Sequence, residues 1–394
     1  MNRIHTKVNS EIVKYFISVS FSSAANSASA LAIYWYVLQT TEKVSILVLT
    51  GVLQSLPAMF AVFISTFANK KGSKFLMTVS DFIRTMLFIL ITITCNSSIG
   101  VSVAVLVNIL LQVFEQLRTA ATTTIIPDIV QNSKISSWVG ISNSVTAAFE
   151  LIGITIGGFL FDKFNYLILF LIISVLFAFS SLFSSMLQSR ASINEDNGDL
   201  NFSFIDTIKH IARSKVLIGI IILAVIVNIS FAPLDIMLTT FVHSVLKEGA
   251  MIYGFMDGGL TGGMILGSLL FGIVASKWRI KPIVVFGFLG CSVILFGLSF
   301  TSNWLISIIE VSGLGVLMAF VDSSMDAWLL EMVPENGRIA MFTTVTSLFT
   351  VAAPIGTGLL GFILSKTNIS LVLLLMSLMI LVGVSVATKL REEE

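Results

Sequence analysis

The chain has 394 residues, of which 56% are hydrophobic and only 11% charged, with a formal net charge of +1. A soluble domain carries about 25% charged residues, and a run of roughly 20 apolar residues matches the hydrocarbon thickness of a bilayer. A soluble globular fold is therefore excluded, and the near-neutral balance gives no reason to expect nucleic acid as a partner.

In chain order, the segment before the first apolar run is polar and lacks a charged, apolar and small-residue signal pattern, so it is expected to be retained. Breaks in the apolar pattern then predict twelve spans near 12–38, 44–68, 74–95, 100–123, 136–161, 165–187, 215–243, 250–276, 282–301, 304–330, 338–365 and 369–388. Lipid offers backbone groups no partner, so spans are helices or barrel strands, and strands need short alternating segments. Runs such as 216–227 and 371–386 do not alternate, which predicts an all-α integral membrane protein.

Orientation follows from the basic residues. Lys70, Lys71, Lys74, Lys134, Lys209, Arg213, Lys277, Arg279, Lys281 and Arg338 fall in loops on one side, against Lys43, Lys163, Lys247 and Lys366 on the other. Lys and Arg collect in cytoplasmic loops, so both termini are expected to be cytoplasmic and the chain to cross the cytoplasmic membrane repeatedly.

The second half repeats the first at one offset. Adding 207 to Asn69-Lys70, Lys74, Glu115 and Pro127-Asp128 reaches Ser276-Lys277, Lys281, Asp322 and Pro334-Glu335. We expect two related six-helix bundles, 1–188 and 215–394, joined by a cytoplasmic linker at 189–214. That linker holds Asn194–Asp199, then Phe202, Ile205, Ile208 and Ile211 at helical spacing, the pattern of a flexible link followed by an amphipathic surface helix.

Several functions have no motif. No GxxxxGK[ST] phosphate loop occurs, and His5, His210 and His243 are scattered without a Ser/His/Asp set. Cys95 and Cys291 lie in or beside apolar spans without a CxxC or His-rich setting. No cofactor, metal site or enzymatic activity is expected.

With these features in place the sequence resembles the major facilitator superfamily, and within it bacterial macrolide-efflux (Mef-type) proteins and their siderophore-exporting relatives. The resemblance is carried by the loop Ser65–Lys74, where the family has Gly-x-x-x-Asp-Arg-x-x-Arg-Lys, by Asp81, by the Pro334–Arg338 turn and by Ala353-Pro354-Ile355-Gly356. Asn69 stands in place of the motif Asp, Ser73 in place of one basic residue, and Ser276 at the acidic position of the second copy, so any charge lock built on that Asp is weaker here or differently made. Gly153 with Gly157-Gly158 resembles part of a drug:proton antiporter motif, with Ile154 where that motif has Pro. The resemblance implies two six-helix bundles around a central site that opens alternately to either face.

Other residues describe packing. Gly259, Gly263 and Gly267 recur every four residues and predict a close helix contact, while Pro57, Pro233 and Pro354 predict kinks.

Ionisable residues inside spans are functional candidates, because a charge at mid-bilayer costs several kcal/mol or about that order. At about 1.5 Å per residue, Asp81, Arg84, Glu115, Arg118, Asp322 and Asp326 lie in the cytoplasmic half. Asp81/Arg84 and Glu115/Arg118 are each spaced i,i+3 and are expected to pair on their own helices as a structural network or cytoplasmic gate. Nearer the middle and outer side lie Glu150, Asp235, Asp257 and Glu310, with no Lys or Arg in the spans at similar depth. A carboxyl without a basic companion in a low-dielectric interior is suited to exchange a proton or attract a cation, so these four are the proton-coupling candidates.

Ser22, Asn26 and Ser29 fall on one face of the first span and are expected to line a wet cavity, joined by Asn143 and Asn228. Tyr34, Trp35 and Tyr36 follow toward the outer end, suited to an interfacial belt or to substrate stacking, with Tyr34 a candidate of the cavity lining. Together with the resemblance, these features lead us to expect a monomeric secondary active exporter that carries an amphipathic small molecule outward against protons. A siderophore or metallophore exporter is the alternative, and a non-transporting membrane sensor is the reading from another class.

Overall fold

The computed structural model describes residues 2–59, 72–129, 135–188, 214–332 and 351–390. Its helices are α1 (Asn2–Thr41), α2 (Val44–Met59), α3 (Ser73–Thr94), α4 (Gly100–Ile129), α5 (Ile135–Phe164), α6 (Tyr166–Ser185), α7 (Lys215–Phe231), α8 (Leu234–Phe241), α9 (Ala250–Ala275), α10 (Ile280–Leu298), α11 (Trp304–Met332), α12 (Ala352–Lys366) and α13 (Ile369–Lys389). Ten spans among the described residues are long and apolar enough to cross a membrane, with α7 and α8 forming one of them; α2 and α12 are shorter apolar helices. The remainder of the second and eleventh expected spans, the loop from 65 to 71, the 334–338 turn and the linker at 189–213 lie outside the described residues.

Large apolar side chains on the outside fit a lipid-facing surface. On α3 the buried face is Leu76, Met77, Ser80, Asp81, Arg84, Thr85, Phe88 and Ile91, while Phe75, Phe82, Met86, Leu90 and Ile93 are exposed. Asp81 and Arg84 of that helix therefore point inward among apolar neighbours while its exposed face is apolar, unlike that of a water-soluble helix.

Two compact units form, one of Met1–Glu195 with Gly249–Phe255 and one of Asp196–Glu248 with Met256–Glu394. In the first, α3 packs between α4 and α6, and α1 packs on α5 and α6; in the second, α10 packs between α11 and α13, and α7 packs on α12 and α13. The 207-residue offset holds at the level of elements, since α3 begins at Ser73 and α10 at Ile280.

Local chemistry sets the turns. Asn165 adopts φ 76° and its side chain accepts a hydrogen bond from the Tyr166 backbone N–H at 2.6 Å, closing the tight turn between α5 and α6. Pro233 separates α7 from α8 as the seventh expected span requires, and α8 runs into a π-helical turn at Val242–Leu246. Pro57 sits inside α2. Pro354 lies in the first turn of α12, at the edge of the described residues, so its expected kink falls where the preceding segment is outside them.

Small residues fix α5 on α1. A methyl at Gly153 would overlap the Ala24 carbonyl, one at Gly157 would lie 3.2 Å from the Ala28 methyl, tighter than ordinary contact, and Ser27 Oγ donates to the Glu150 carbonyl oxygen at 2.8 Å. In the second unit Gly259, Gly263 and Gly267 lie against Ser312, Val316 and Ala319 of α11, the close contact that their spacing predicts.

Candidate functional site: a polar cavity beside a buried ion network

In the first unit, α3 and α4 bring two acids and two arginines together. Asp81 and Arg84 have fully buried side chains, at 0% exposure each, and Asp81 is the hub. Its Oδ1 accepts from Ser22 Oγ at 3.1 Å and Arg84 Nη1 at 3.3 Å; its Oδ2 accepts from Arg118 Nε at 2.8 Å and Ser180 Oγ at 2.6 Å. Arg84 Nη2 pairs with Glu115 Oε2, and its guanidinium lies 5.1 Å from the centre of the Phe177 ring. Arg118 Nη2 also donates to the Ser18 carbonyl at 3.2 Å. Every carboxylate oxygen of Asp81 is used twice, and the four charges cancel, which is the condition under which buried ions are tolerated.

The pairing differs from the expected one. Asp81 and Arg84 do meet within α3, but Glu115 reaches across to Arg84 and Arg118 reaches across to Asp81. Spacing along one helix places two side chains on a face but does not say which neighbouring helix presents a better partner.

Beside this network is a cavity of about 160 Å³ lined by Ser22, Ser23 and Asn26 of α1, Glu115, Arg118, Thr119, Thr122 and Ile126 of α4, and Val139, Ser142, Asn143, Thr146 and Glu150 of α5. Among its charged groups, Glu115 is held by Arg84 and by Thr119 Oγ1 at 3.0 Å, and Arg118 by Asp81, Ser18 and Ser180. The Glu150 carboxylate has neither a hydrogen bond nor an ion pair among the described residues. The α1–α5 seam holds it in place through its own backbone carbonyl.

The remaining candidates are spread more widely. Ser29 is buried and donates to the Asn26 carbonyl at 2.6 Å, so its hydroxyl is spent within α1. Tyr34, Trp35 and Tyr36 are all buried; Trp35 lies 6.1 Å from Tyr253, and Tyr36 donates to the Cys95 carbonyl at 2.7 Å. They pack between helices rather than facing outward as a belt. Ser18, Ser180, Ser142, Thr119, Thr122 and Thr146 complete the network and cavity without having been singled out in the sequence. The i, i+3, i+7 spacing of Asn143, Thr146 and Glu150 is the signal that identifies the α5 face.

In the second unit, Asp322 and Asp326 of α11 line a cavity of about 270 Å³ with Asn228, Ile220, Ala224 and Val227 of α7 and Met325 and Leu329 of α11. Among the described residues, no basic side chain is in that lining. At the offset of 207, Glu115 corresponds to Asp322, but Asp81, Arg84 and Arg118 correspond to Phe288, Cys291 and Met325. The second half therefore keeps the acid and replaces its partners with apolar or thiol side chains. Asp235 is the second residue of α8, directly after the break at Pro233. Asp257 is buried on α9 and engaged by a neighbour. Glu310 packs beside Gly297 of α10, with its Oε2 buried and without a hydrogen-bond partner among the described residues.

Among solved structures, the nucleoside transporter NupG in a single-site mutant form superposes with a TM-score of 0.80 at 14% identity, over 96% of this chain and 99% of that one. NupG without that mutation gives 0.77 at 12%, over 97% and 100%. A bacterial homolog of the human lysosomal transporter Spinster, solved inward-facing and unoccupied, gives 0.73 at 10%, over 96% of both chains. At these identities the likeness is one of fold. No protein of curated function matches the sequence. The sequence profile of the Major Facilitator Superfamily matches residues 15–316, most of the chain. A helical membrane fold of two bundles, matched to that profile over most of its length, belongs to the Major Facilitator Superfamily and is a transporter, not an enzyme.

Proposed function

We propose that this transporter works as a monomer in the cytoplasmic membrane, with both termini inside, and carries an amphipathic small molecule outward against proton entry by alternating access. The observation that carries this reading is Glu150. It is the one charged side chain lining the polar cavity that has no hydrogen-bond or ion-pair partner among the described residues. Around it, α4 contributes Glu115 and Arg118, both engaged, and α1 contributes hydroxyls and an amide without charge. A proton on Glu150 removes the cavity's uncompensated charge, and its loss restores an anion that draws in a cargo amine; proton and cargo then compete for one group.

The network of Asp81, Arg84, Glu115 and Arg118 is the gate in this scheme, with Asp322 and Asp326 as its acidic counterpart in the second unit. Asp235, beside a helix break, is the second coupling group, followed by Asp257 and Glu310. Outward direction rests on the partial antiporter motif at Gly153 and Gly157-Gly158. An anionic metallophore fits less well, because Arg118, the basic group in the cavity lining, is already bound by Asp81, Ser18 and Ser180.

The test is transport in proteoliposomes with an imposed pH gradient and a panel of antibiotics, dyes and chelators. Glu150→Gln is expected to lose gradient-driven accumulation while retaining exchange of cargo across the bilayer. Full pH-dependent efflux by that variant rules out the coupling role, and the same comparison with Asp235→Asn ranks the two carboxyls.

A further inference from the structure

The polar groups lining the first unit's cavity divide into two sets by hydrogen bonding. On the network side they are spent: Ser22 donates to Asp81, Thr119 to Glu115, and Thr122 to the Arg118 carbonyl at 2.8 Å, while Ser142 is bonded to Tyr15 at 2.7 Å. On the other side, Ser23 and Asn26 of α1 and Asn143, Thr146 and Glu150 of α5 line the cavity with side chains that have no hydrogen-bond partner among the described residues. Asn143, Thr146 and Glu150 share one helical face, and Ser23 and Asn26 are spaced i,i+3 on the opposing helix, so the five groups converge on one volume.

We propose that these five groups are the recognition site for a protonated amine flanked by hydroxyl or carbonyl groups on the cargo. The inference rests on reading this cavity as the cargo site. Its content is an inventory: two amides, each with an acceptor oxygen and two donor hydrogens, two hydroxyls and one carboxylate. The carboxylate and amide oxygens suit the three hydrogens of an ammonium group. The amide and hydroxyl donors remain, and they need acceptors on the cargo.

An apolar cation satisfies the charge and leaves the amides bare, and a neutral polyol satisfies the amides and leaves the charge bare. Each mismatch buries an unpaired polar group, which is how a hydrogen-bonding site rejects an analogue. Among the described residues the lining has two aliphatic side chains, Ile126 and Val139, which with the carbon stems of its polar residues can pack on the cargo's apolar part but pair neither an amide nor a charge.

The experiment uses the full chain in phosphatidylethanolamine–phosphatidylglycerol vesicles and measures equilibrium binding of three probes: an octyl glycoside of an amino sugar, the same glycoside with hydroxyl in place of the amine, and tetraphenylphosphonium. The amino glycoside is expected to bind at least about tenfold more tightly than either of the others. Glu150→Gln should remove its advantage over the neutral glycoside. Asn143→Ala and Asn26→Ala should each weaken it about fivefold or more while leaving tetraphenylphosphonium unchanged, and Asn143→Ser, with a hydroxyl retained, should fall between.

Unchanged tetraphenylphosphonium binding also reports that the Asn variants are folded. Equal binding of the amino glycoside and tetraphenylphosphonium, no binding of the amino glycoside, or indifference to both Asn variants overturns the assignment. The same vesicles given a pH gradient separate the two claims: selective binding without gradient-driven movement contradicts coupling alone, and gradient-driven movement without selectivity contradicts the recognition site alone.

Discussion

Asp81 shows how much one buried residue can carry. Two arginines and two serines converge on its two oxygens, so removing its charge strands a cation in an apolar interior. Breaking one partner of a buried pair costs about 3–5 kcal/mol. Asp81→Asn is expected to lower the thermal unfolding midpoint of the detergent-solubilised protein sharply. Adding Arg118→Met, the residue type that the second half carries at Met325, should recover part of that loss, because the stranded charge leaves with it. Unchanged stability of Asp81→Asn, or a double variant worse than the two single losses combined, would show that the network is not the stabilising unit described above. At this scale the sequence made the charged residues legible through their cost in lipid. It did not reveal their crossed pairing, because that depends on the rotation of α3 against α4, nor the role of Ser18 and Ser180, since a serine within an apolar span is too common to signal anything alone.

At the scale of elements, the α1–α5 seam decides where Glu150 stands. Gly153→Leu should displace α5 from α1, lowering both stability and gradient-driven transport, since its side chain would occupy the volume of the Ala24 backbone. Gly140→Ala, on the same helix with nothing within 4 Å of its added methyl, should be neutral or stabilising by up to about 1 kcal/mol, through helix propensity. Thermal unfolding of the pair checks this, and equal damage from both would locate the effect in helix flexibility instead of packing. The glycine spacing on α5 and α9 and the break at Pro233 were readable from the sequence, because small-residue periodicity and a missing N–H act locally. The π-helical turn after α8 was not, since Val-His-Ser-Val-Leu contains no Pro or Gly to mark a departure from the α-helix.

For the whole molecule, the repeat at an offset of 207 predicts two related halves, and α3 and α10 begin at matching positions and pack on matching neighbours. The chemistry does not repeat with the fold. One half holds a neutralised network and an unengaged acid, while the other keeps Asp322 and Asp326 and has Phe288, Cys291 and Met325 where the network would be. That inequality was present in the residues but emerges only when the halves are aligned position by position, beyond the loops that first suggest the repeat. Under the proposed function, one half recognises and couples while the other supplies acidic groups without an arginine partner among the described residues.

The most direct measurement is reciprocal: proteoliposomes containing a pH-sensitive dye, given no proton gradient and then a concentration gradient of amphipathic amines. Proton movement opposite to the amine is predicted for the wild-type protein and should be absent in Glu150→Gln. Amine movement without proton movement, or proton movement that survives Glu150→Gln, would contradict the account.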